Sequence, residues 1–414
     1  MIAIIGGGPA GLRAAEVAVA GGASVTVYDA KASAGRKFLV AGGGGLNLTK
    51  AEEPERFAGN YSGGPDGLWR ELIEEFSPEA MRAWAAGLGV ETFVATSKRV
   101  YPKEMKAAPL LRRWVQRLRH SGVEFAMRHR WTGMRADGRV TLFFKMSEGT
   151  RAVEADAVIL ALGGGSWPET GSDGAWVDSF ERCGVRVSPL AAANCGWEVA
   201  WPHEVLADAE GRPLKNILAR AGNQEAAGEL LITKYGLEGG AIYQLGTVLR
   251  TMGQPEIGID FKPALDVERL VMKLGTARRN FLQEARQRWR LCAGTFAILS
   301  HHPNRGAWNS AEALARAVKN CRIELLRPRP LAEAISSAGG VCWSELDRSL
   351  MVNRAPGVFV AGEMIDWEAP TGGYLMQGCF ATATRAAQGA LEWLKPRAAV
   401  SIFKQEGCGY LLEP

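Results

Sequence analysis

MIAIIGGGPAGLRAAEVAVAGGASVTVYDA, residues 1–30, decides the fold. The run IAII at 2–5 is short and apolar, as suits a buried parallel strand. Gly6, Gly8 and Gly11 follow in GxGxxG spacing, with Pro9 and Ala10 inside the turn. LRAAEVAVAGG then predicts a helix that stops at Gly21 and Gly22. SVTVYDA predicts a second strand with Asp29 at its carboxyl end. Each part has a physical task. Gly6 permits the tight turn, Gly8 lets a diphosphate approach the backbone, and Gly11 lets helix and strand pack closely. The helix N-terminus offers free N–H groups and a positive dipole end to phosphate. Asp29 stands near the spacing expected of an acid that holds a ribose hydroxyl. Together they predict a dinucleotide-binding unit.

Three further glycine-rich stretches extend this reading. GRKFLVAGGGGLNLTK at 35–50 offers Arg36 and Lys37 as phosphate or adenine-side contacts. Its glycines Gly42, Gly43 and Gly44, with Asn47 beyond, are too costly in backbone entropy to order without a ligand or a close neighbour. DAVILALGGGSWPETGSDG at 156–174 is a buried strand followed by Gly163 and Gly164. Ligands of open parallel sheets sit beyond the carboxyl ends of strands. GVFVAG at 357–362 is another buried strand ending in Gly362, followed by Glu363 and Asp366. Thr371 can then cap an Ala-rich helix that begins around Gly372, passes Gly373 and Tyr374, and runs to about Trp393. The C-terminal segment is therefore expected to complete the site that residue 6 opens.

Composition sets the outer limits. The chain has 414 residues, 50 of them glycine, and a formal net charge of +5. That length suggests two or three domains, and the mild charge alone does not argue for nucleic acid. The seven cysteines, Cys183, Cys195, Cys292, Cys321, Cys342, Cys379 and Cys408, contain no CxxC pair. Neither a disulfide framework nor a zinc site is expected, and no other metal site is. Adjacent His301 and His302 point in different directions on any regular element, which disfavours joint metal binding. No apolar run reaches membrane-spanning length. The first residues enter a strand without a signal-peptide pattern, so a cytoplasmic protein is expected.

The chain resembles the HI0933-like flavoproteins, whose branches include bile-acid dehydro-reductase, ribosomal RNA dihydrouridine synthase and aminoacetone oxidase relatives. The resemblance rests on GGGPAG at 6–11, GRKFLVAGGGGLNLT at 35–49 and RVYPKEMKAAPLLRRW at 99–114. It continues through ALGGGSWPETGSDGAW at 161–176, LLITKYGLEGGAIYQLG at 230–246, SAGGVCWSELD at 337–347 and AGEMIDWEAPTGGYLMQ at 361–377. Gly45 and Leu46 stand where many members have Arg and Cys. Gly378, Cys379 and Phe380 stand where many have a Trp-rich helix start, and NCGWEVAW at 194–201 with DWEAPTGGYLMQGCFAT at 366–382 resembles a distinct sub-branch. The resemblance implies an α/β fold: a two-ended Rossmann-like FAD domain of the glutathione-reductase type with an inserted β-barrel-like plus helical domain. Residues 1–187 and 348–397 would form the FAD domain. The insertion would comprise a β-rich part at 188–263, helices at 264–330 and a β-rich return at 331–347. Residues 398–414 would be a tail.

Candidate chemical groups cluster near the last helix. Tyr374 is a candidate proton donor or lid, Trp367 a candidate stacking surface for a flat substrate, and Cys379 a thiol near a helix N-terminus, where the thiolate is favoured. Arg99 and Lys106 could hold an anionic substrate or solvate a helix face. The leading expectation is an oxidoreductase that moves hydride between noncovalent FAD and a small organic substrate. The sequence carries one GxGxxG, so NAD(P)H is a possible partner that no second dinucleotide fold encodes. A second reading is an RNA-modifying flavoenzyme that reduces a pyrimidine, resting on the net charge and RRNFLQEARQRWRL at 278–291. A third is a non-enzymatic flavin-binding protein.

Overall fold

In a computed structural model of the chain, residues 1–395 are described except 138 and 276–278. The expected tail at 398–414, with Cys408, and Arg278 lie outside the described residues. By contacts the chain divides into two compact units, one of residues 1–191 and 335 onward, the other of residues 192–334.

The first unit is built on β1 (Ile2–Ile5), α1 (Pro9–Ala20) and β2 (Val25–Asp29). After it come α2 (Arg36–Ala41), α3 (Ala107–His120), β3 (Glu124–Met127) and β4 (Ala157–Leu160). β5 (Val358–Val360) and the long α4 (Tyr374–Leu394) close it. The sheet order is β5-β4-β1-β2-β3, every pair parallel. β1, β4 and β5 are buried along their whole length, which is why they read as unbroken apolar runs rather than alternating ones. The strand from the C-terminal region thus pairs directly with β4, Val158 opposite Val358. α4 lies against α1: Arg13 Nε donates to Thr384 Oγ1 at 3.0 Å, and Gly21 leaves room for Leu391. An antiparallel meander, Arg130–Asp137, Arg139–Met146 and Gly149–Ala155, also belongs to this unit.

The second unit has its own core around Trp197, Leu230, Ile232 and Ile257. Its six-stranded sheet is antiparallel throughout and includes Pro213–Ala221, Gln224–Thr233 and Glu256–Asp260. Helices Val267–Leu274, Phe281–Arg288, Ala293–Ser300 and Ala311–Lys319 pack with it. The unit is narrower than the insertion expected at 188–347. Residues 335–347 side with the nucleotide-binding unit because their hydrogen bonds go there: Ser337 N–H donates to Glu363 at 2.9 Å and Trp343 Nε1 to the Asp366 carbonyl at 2.6 Å. Among the described residues no helix is long and apolar enough to cross a membrane.

Gly11 shows how tightly the nucleotide turn is made. A Cβ there would stand 1.8 Å from the Gly6 carbonyl oxygen. Gly11→Ala should therefore lower the stability of the cofactor-free protein by about 1–3 kcal/mol, the usual cost of overpacking, despite alanine's better helix propensity. Thermal unfolding checks this; an unchanged or raised melting temperature would show that the turn is looser than described.

Candidate functional site

A cavity of about 1200 Å³, its open mouth included, runs through the first unit beyond the carboxyl ends of the strands. Gly6, Gly8, Pro9 and Ala10 line it at the start of α1. Gly8 is the N-cap of α1, with no side chain satisfying the helix N–H groups, and a Cβ on Gly8 would meet no atom within 4 Å. The glycine faces open space, and the free N–H groups of the first turn face a place for an anion. Gly11 does not line the cavity; it serves packing alone.

Asp29 lines the cavity at the end of β2. Its Oδ2 accepts the Gly7 N–H and its Oδ1 the Lys31 N–H, both at 2.7 Å. Burial raises its pKa, opposed by those two N–H groups and by the charges of Lys31 and Arg36. The carboxylate thus ties the glycine turn to β2, and its remaining lone pairs are free for a hydroxyl. Beyond it stand Tyr28, His129 and Trp131. Tyr28 stacks on Phe144 at 4.6 Å and meets His129 edge-on at 5.7 Å. His129 Nδ1 is anchored at the Met127 carbonyl, while its Nε2 and Trp131 Nε1 are buried without a partner among the described residues. Such orphaned groups suit a polar aromatic ligand such as adenine. Sequence reasoning missed His129 and Trp131; the only local signal is HRW at 129–131, directly after β3.

At mid-cavity Lys37 Nζ donates to Glu363 Oε2 at 2.7 Å and to Ser166 Oγ at 2.6 Å. Glu363 Oε1 in turn accepts the Ser337 N–H. Arg36 and Gly163 also line this part. Gly164 does not: a Cβ there would lie 2.3 Å from Ser337 Oγ, so its role is close packing. Gly42, Gly43, Gly44 and Asn47 likewise fall outside the lining, although Ala41 is in it. Gly42 packs on Ala107, and Asn47 Oδ1 is buried without a partner among the described residues.

The far end is walled by Ala361, Trp367, Leu375, Met376 and Cys379. Gly362 is held at φ +77°, its N–H donating to Thr382 Oγ1 at 3.0 Å. Gly372 and Gly373, both with positive φ, let the start of α4 pass the Thr49 backbone; a Cβ on Gly373 would lie 2.4 Å from it. α4 has no side-chain cap, so its N–H groups also remain available.

Three expectations are corrected here. Asp366 does not line the cavity; its Oδ2 accepts Ser188 Oγ at 2.5 Å. Tyr374 turns away from the cavity, donating to buried Glu52 at 2.7 Å and accepting from Lys50 at 3.0 Å. Burial and the Glu52 bond raise its pKa, so it is a structural hydroxyl rather than a proton donor at the ring. Cys379 lines the cavity, yet burial, with Glu363 adding, pushes its pKa up to about 12 against the weaker pull of Lys37. It is a neutral thiol and not the thiolate expected near a helix N-terminus. Trp367 does face the cavity, with its indole N–H fixed on the Gly362 carbonyl at 2.8 Å and its ring packed against Trp69 and Tyr61.

The arrangement defines a dinucleotide-binding flavoprotein. The HI0933-like protein Rossmann domain family matches residues 1–389, and the chain belongs to that family. It is 28% identical to the 3-dehydro-bile acid delta(4,6)-reductase of Clostridium scindens, over 94% of this chain and 99% of that one. It is 22% identical to the ribosomal RNA dihydrouridine synthase of Escherichia coli, over 93% and 96%. Among solved structures it is similar to the 3-ketosteroid-delta4-(5alpha)-dehydrogenase of Rhodococcus jostii, with a TM-score of 0.53, 17% identity and coverage of 94% and 96%. The 3-ketosteroid delta1-dehydrogenase of Sterolibacterium denitrificans gives 0.51, 12%, 94% and 99%. The protein is an FAD-dependent oxidoreductase. The cavity fits FAD through the open side of Gly8, the uncapped N-termini of α1 and α4, and the orphaned His129 Nε2.

Two outcomes test the site. Gly8→Val should cost the cofactor-free protein no more than about 1 kcal/mol, the loss of a glycine N-cap where the added side chain meets no atom, while abolishing FAD retention. A variant that purifies fully yellow would exclude the diphosphate from this turn. In the cofactor-free protein Cys379 should resist iodoacetamide at pH 7–9 and become reactive only as pH approaches about 12. Site-resolved mass spectrometry showing alkylation at pH 7 would mean that the thiol is ionised there.

Proposed function

We propose that the protein transfers hydride between FAD and a carbon–carbon bond conjugated to a carbonyl, in a largely apolar organic substrate of medium size. The observation that carries this is the far wall of the cavity. Ala361, Trp367, Leu375 and Met376 are apolar, and Cys379 is a neutral thiol. The one nearby tyrosine hydroxyl on α4 is committed to Glu52. Such a wall can bind, orient and dehydrate an apolar molecule; it offers no charged nucleophile. Hydride acceptance and donation are what FAD supplies when bound.

The chain's own residues divide the remaining work. Gly8, the N-terminus of α1 and Arg36 meet the diphosphate, and Asp29 a ribose hydroxyl. The Lys37–Glu363 pair holds the connecting polar chain. The N-terminus of α4 favours negative charge at the ring end through its uncapped N–H groups and dipole. Trp367, fixed by the Gly362 carbonyl and the rings behind it, gives the substrate a rigid apolar surface. The Clostridium scindens relative, matched over nearly its whole length, is named as a reductase of this kind of bond, which supports the reading.

The test is anaerobic. Holoprotein reduced with dithionite is mixed with cyclic enones, with the matching saturated ketones and with a uridine-containing RNA. Enones should reoxidise the flavin with saturation behaviour, at least about tenfold faster than the saturated ketones, a difference of about 1.4 kcal/mol in the barrier. Reoxidation by RNA alone, or by none of the three, would sink the proposal.

A further inference from the structure

Three tryptophans stand in file from the cavity towards solvent. Trp367 lines the far end of the cavity and is 3% exposed. Trp69, on the helix Leu68–Glu75 and 6% exposed, meets it edge-on at 5.2 Å between ring centroids. Trp343, half-buried, meets Trp69 edge-on at 6.0 Å. Both separations are those of rings in direct contact. Each indole N–H is fixed on a backbone carbonyl: Trp367 on Gly362 at 2.8 Å, Trp69 on Gly63 at 2.7 Å and Trp343 on Asp366 at 2.6 Å. Gly63 and Gly64, both at positive φ, let the chain close on this file. A Cβ on Gly63 would lie 2.4 Å from the Asp366 carbonyl oxygen, and one on Gly64 3.2 Å from the Trp343 ring.

The other oxidisable groups in this wall are poor one-electron donors, because a phenol or a thiol must lose its proton as it is oxidised. Tyr61 stacks on Trp69 at 4.1 Å, but its hydroxyl donates to the Tyr374 carbonyl, which is no base. Burial also pushes its pKa well up, so the proton stays. Cys379 is a neutral thiol for the same reason. An indole differs: it can give up an electron and keep its N–H, with the positive charge spread over the ring. Hydrogen bonds from a charged donor are stronger than neutral ones, so the carbonyl on each N–H steadies the oxidised ring. The path of least resistance for an electron through this wall is the file of indoles.

We infer that Trp343, Trp69 and Trp367 relay single electrons from a thiol reductant in solution to the flavin under blue light, with the ring seated at the α4 end of the cavity as proposed above. In the dark an indole is too weak a reductant for FAD; excitation makes the ring a far stronger oxidant. Trp367 then gives one electron to the excited ring and is refilled from Trp69, and Trp69 from Trp343. The positive charge ends on the half-buried indole, where a thiol in solution supplies the missing electron. Two such cycles take two electrons and two protons from a dithiol and close its disulfide. Both electrons and one proton end on FAD, and the other proton goes to water. Without Trp69 or Trp343 the charge stays on a buried indole and returns to the flavin before a thiol can reach it.

The experiment uses the anaerobic holoprotein with dithiothreitol, in blue light and in the dark, and reads flavin absorbance and flavin fluorescence. The parent should bleach in the light far faster than in the dark, and its bound flavin should fluoresce weakly. Trp367→Phe should be severalfold brighter, because the first electron donor is gone. Trp69→Phe and Trp343→Phe should stay as dim as the parent yet lose most of the light-driven bleaching. FAD content and the melting temperature of each holoprotein show that the variants are folded and loaded. If Trp69→Phe fails to hold FAD, Trp343→Phe at the half-buried end decides alone. The relay is overturned if light does not speed bleaching of the parent, if Trp343→Phe bleaches as fast as the parent, or if Trp367→Phe stays as dim as the parent. No substrate takes part, so enones that fail to reoxidise the reduced flavin, with light-driven bleaching intact, would sink the substrate reading alone.

Discussion

The Gly6 carbonyl occupies the place where a side chain on residue 11 would have to be, and the Ala161 carbonyl lies 2.3 Å from where a side chain on residue 6 would begin. This double close approach draws α1 down onto β1 and brings the end of β4 against the turn. With α1 held there, the only open side of the turn is at Gly8, so the helix N-terminus must face the cavity. β5 then adds to β4, and α4 crosses α1 where Gly21 gives way to Leu391. The site is thus a consequence of two backbone contacts made possible by missing Cβ atoms.

Much of this frame could be read from sequence because its causes are local. Four apolar residues in a row, a glycine at each tight position and an acid at the end of β2 are short-range signals. The strands at 157–160 and 358–360 were equally plain for the same reason. What could not be read depends on partners far along the chain. Nothing near Tyr374 says that its hydroxyl will meet Glu52, and nothing near Asp366 points to Ser188. The placement of Cys379 near a helix start suggested a thiolate, but burial outweighs the helix dipole and the thiol stays protonated. His129 and Trp131 escaped notice because they enter the cavity from the start of an antiparallel meander, away from the glycine-rich motifs.

The cavity's charges are largely settled within the protein. Lys37 is paired with Glu363, and Asp29 is satisfied by two backbone N–H groups. An anionic cofactor is therefore met mainly by helix N–H groups, with Arg36 as the exposed cation at the rim. This leaves the far end electrically quiet, which suits an apolar substrate and makes α4's N-terminus the main polar influence there.

Two glycines singled out in the sequence, Gly378 and Gly45, act through the space they leave. A Cβ on Gly378 would lie 2.9 Å from both the Trp367 ring and the Tyr61 ring. Glycine at 378 is therefore what allows Trp367 to sit between the cavity and the cluster of Tyr61 and Trp69. Tyr61 in turn donates to the Tyr374 carbonyl at 2.6 Å and so helps to fix the first turn of α4. Gly45, at φ +113°, leaves room for Met105, whose side chain is exposed. A bulkier helix start at 378 would push Trp367 out of its place, and a side chain at 45 would press on Met105. The two glycines thus act by the room they leave, Gly378 for a ring that lines the cavity and Gly45 for a side chain that does not.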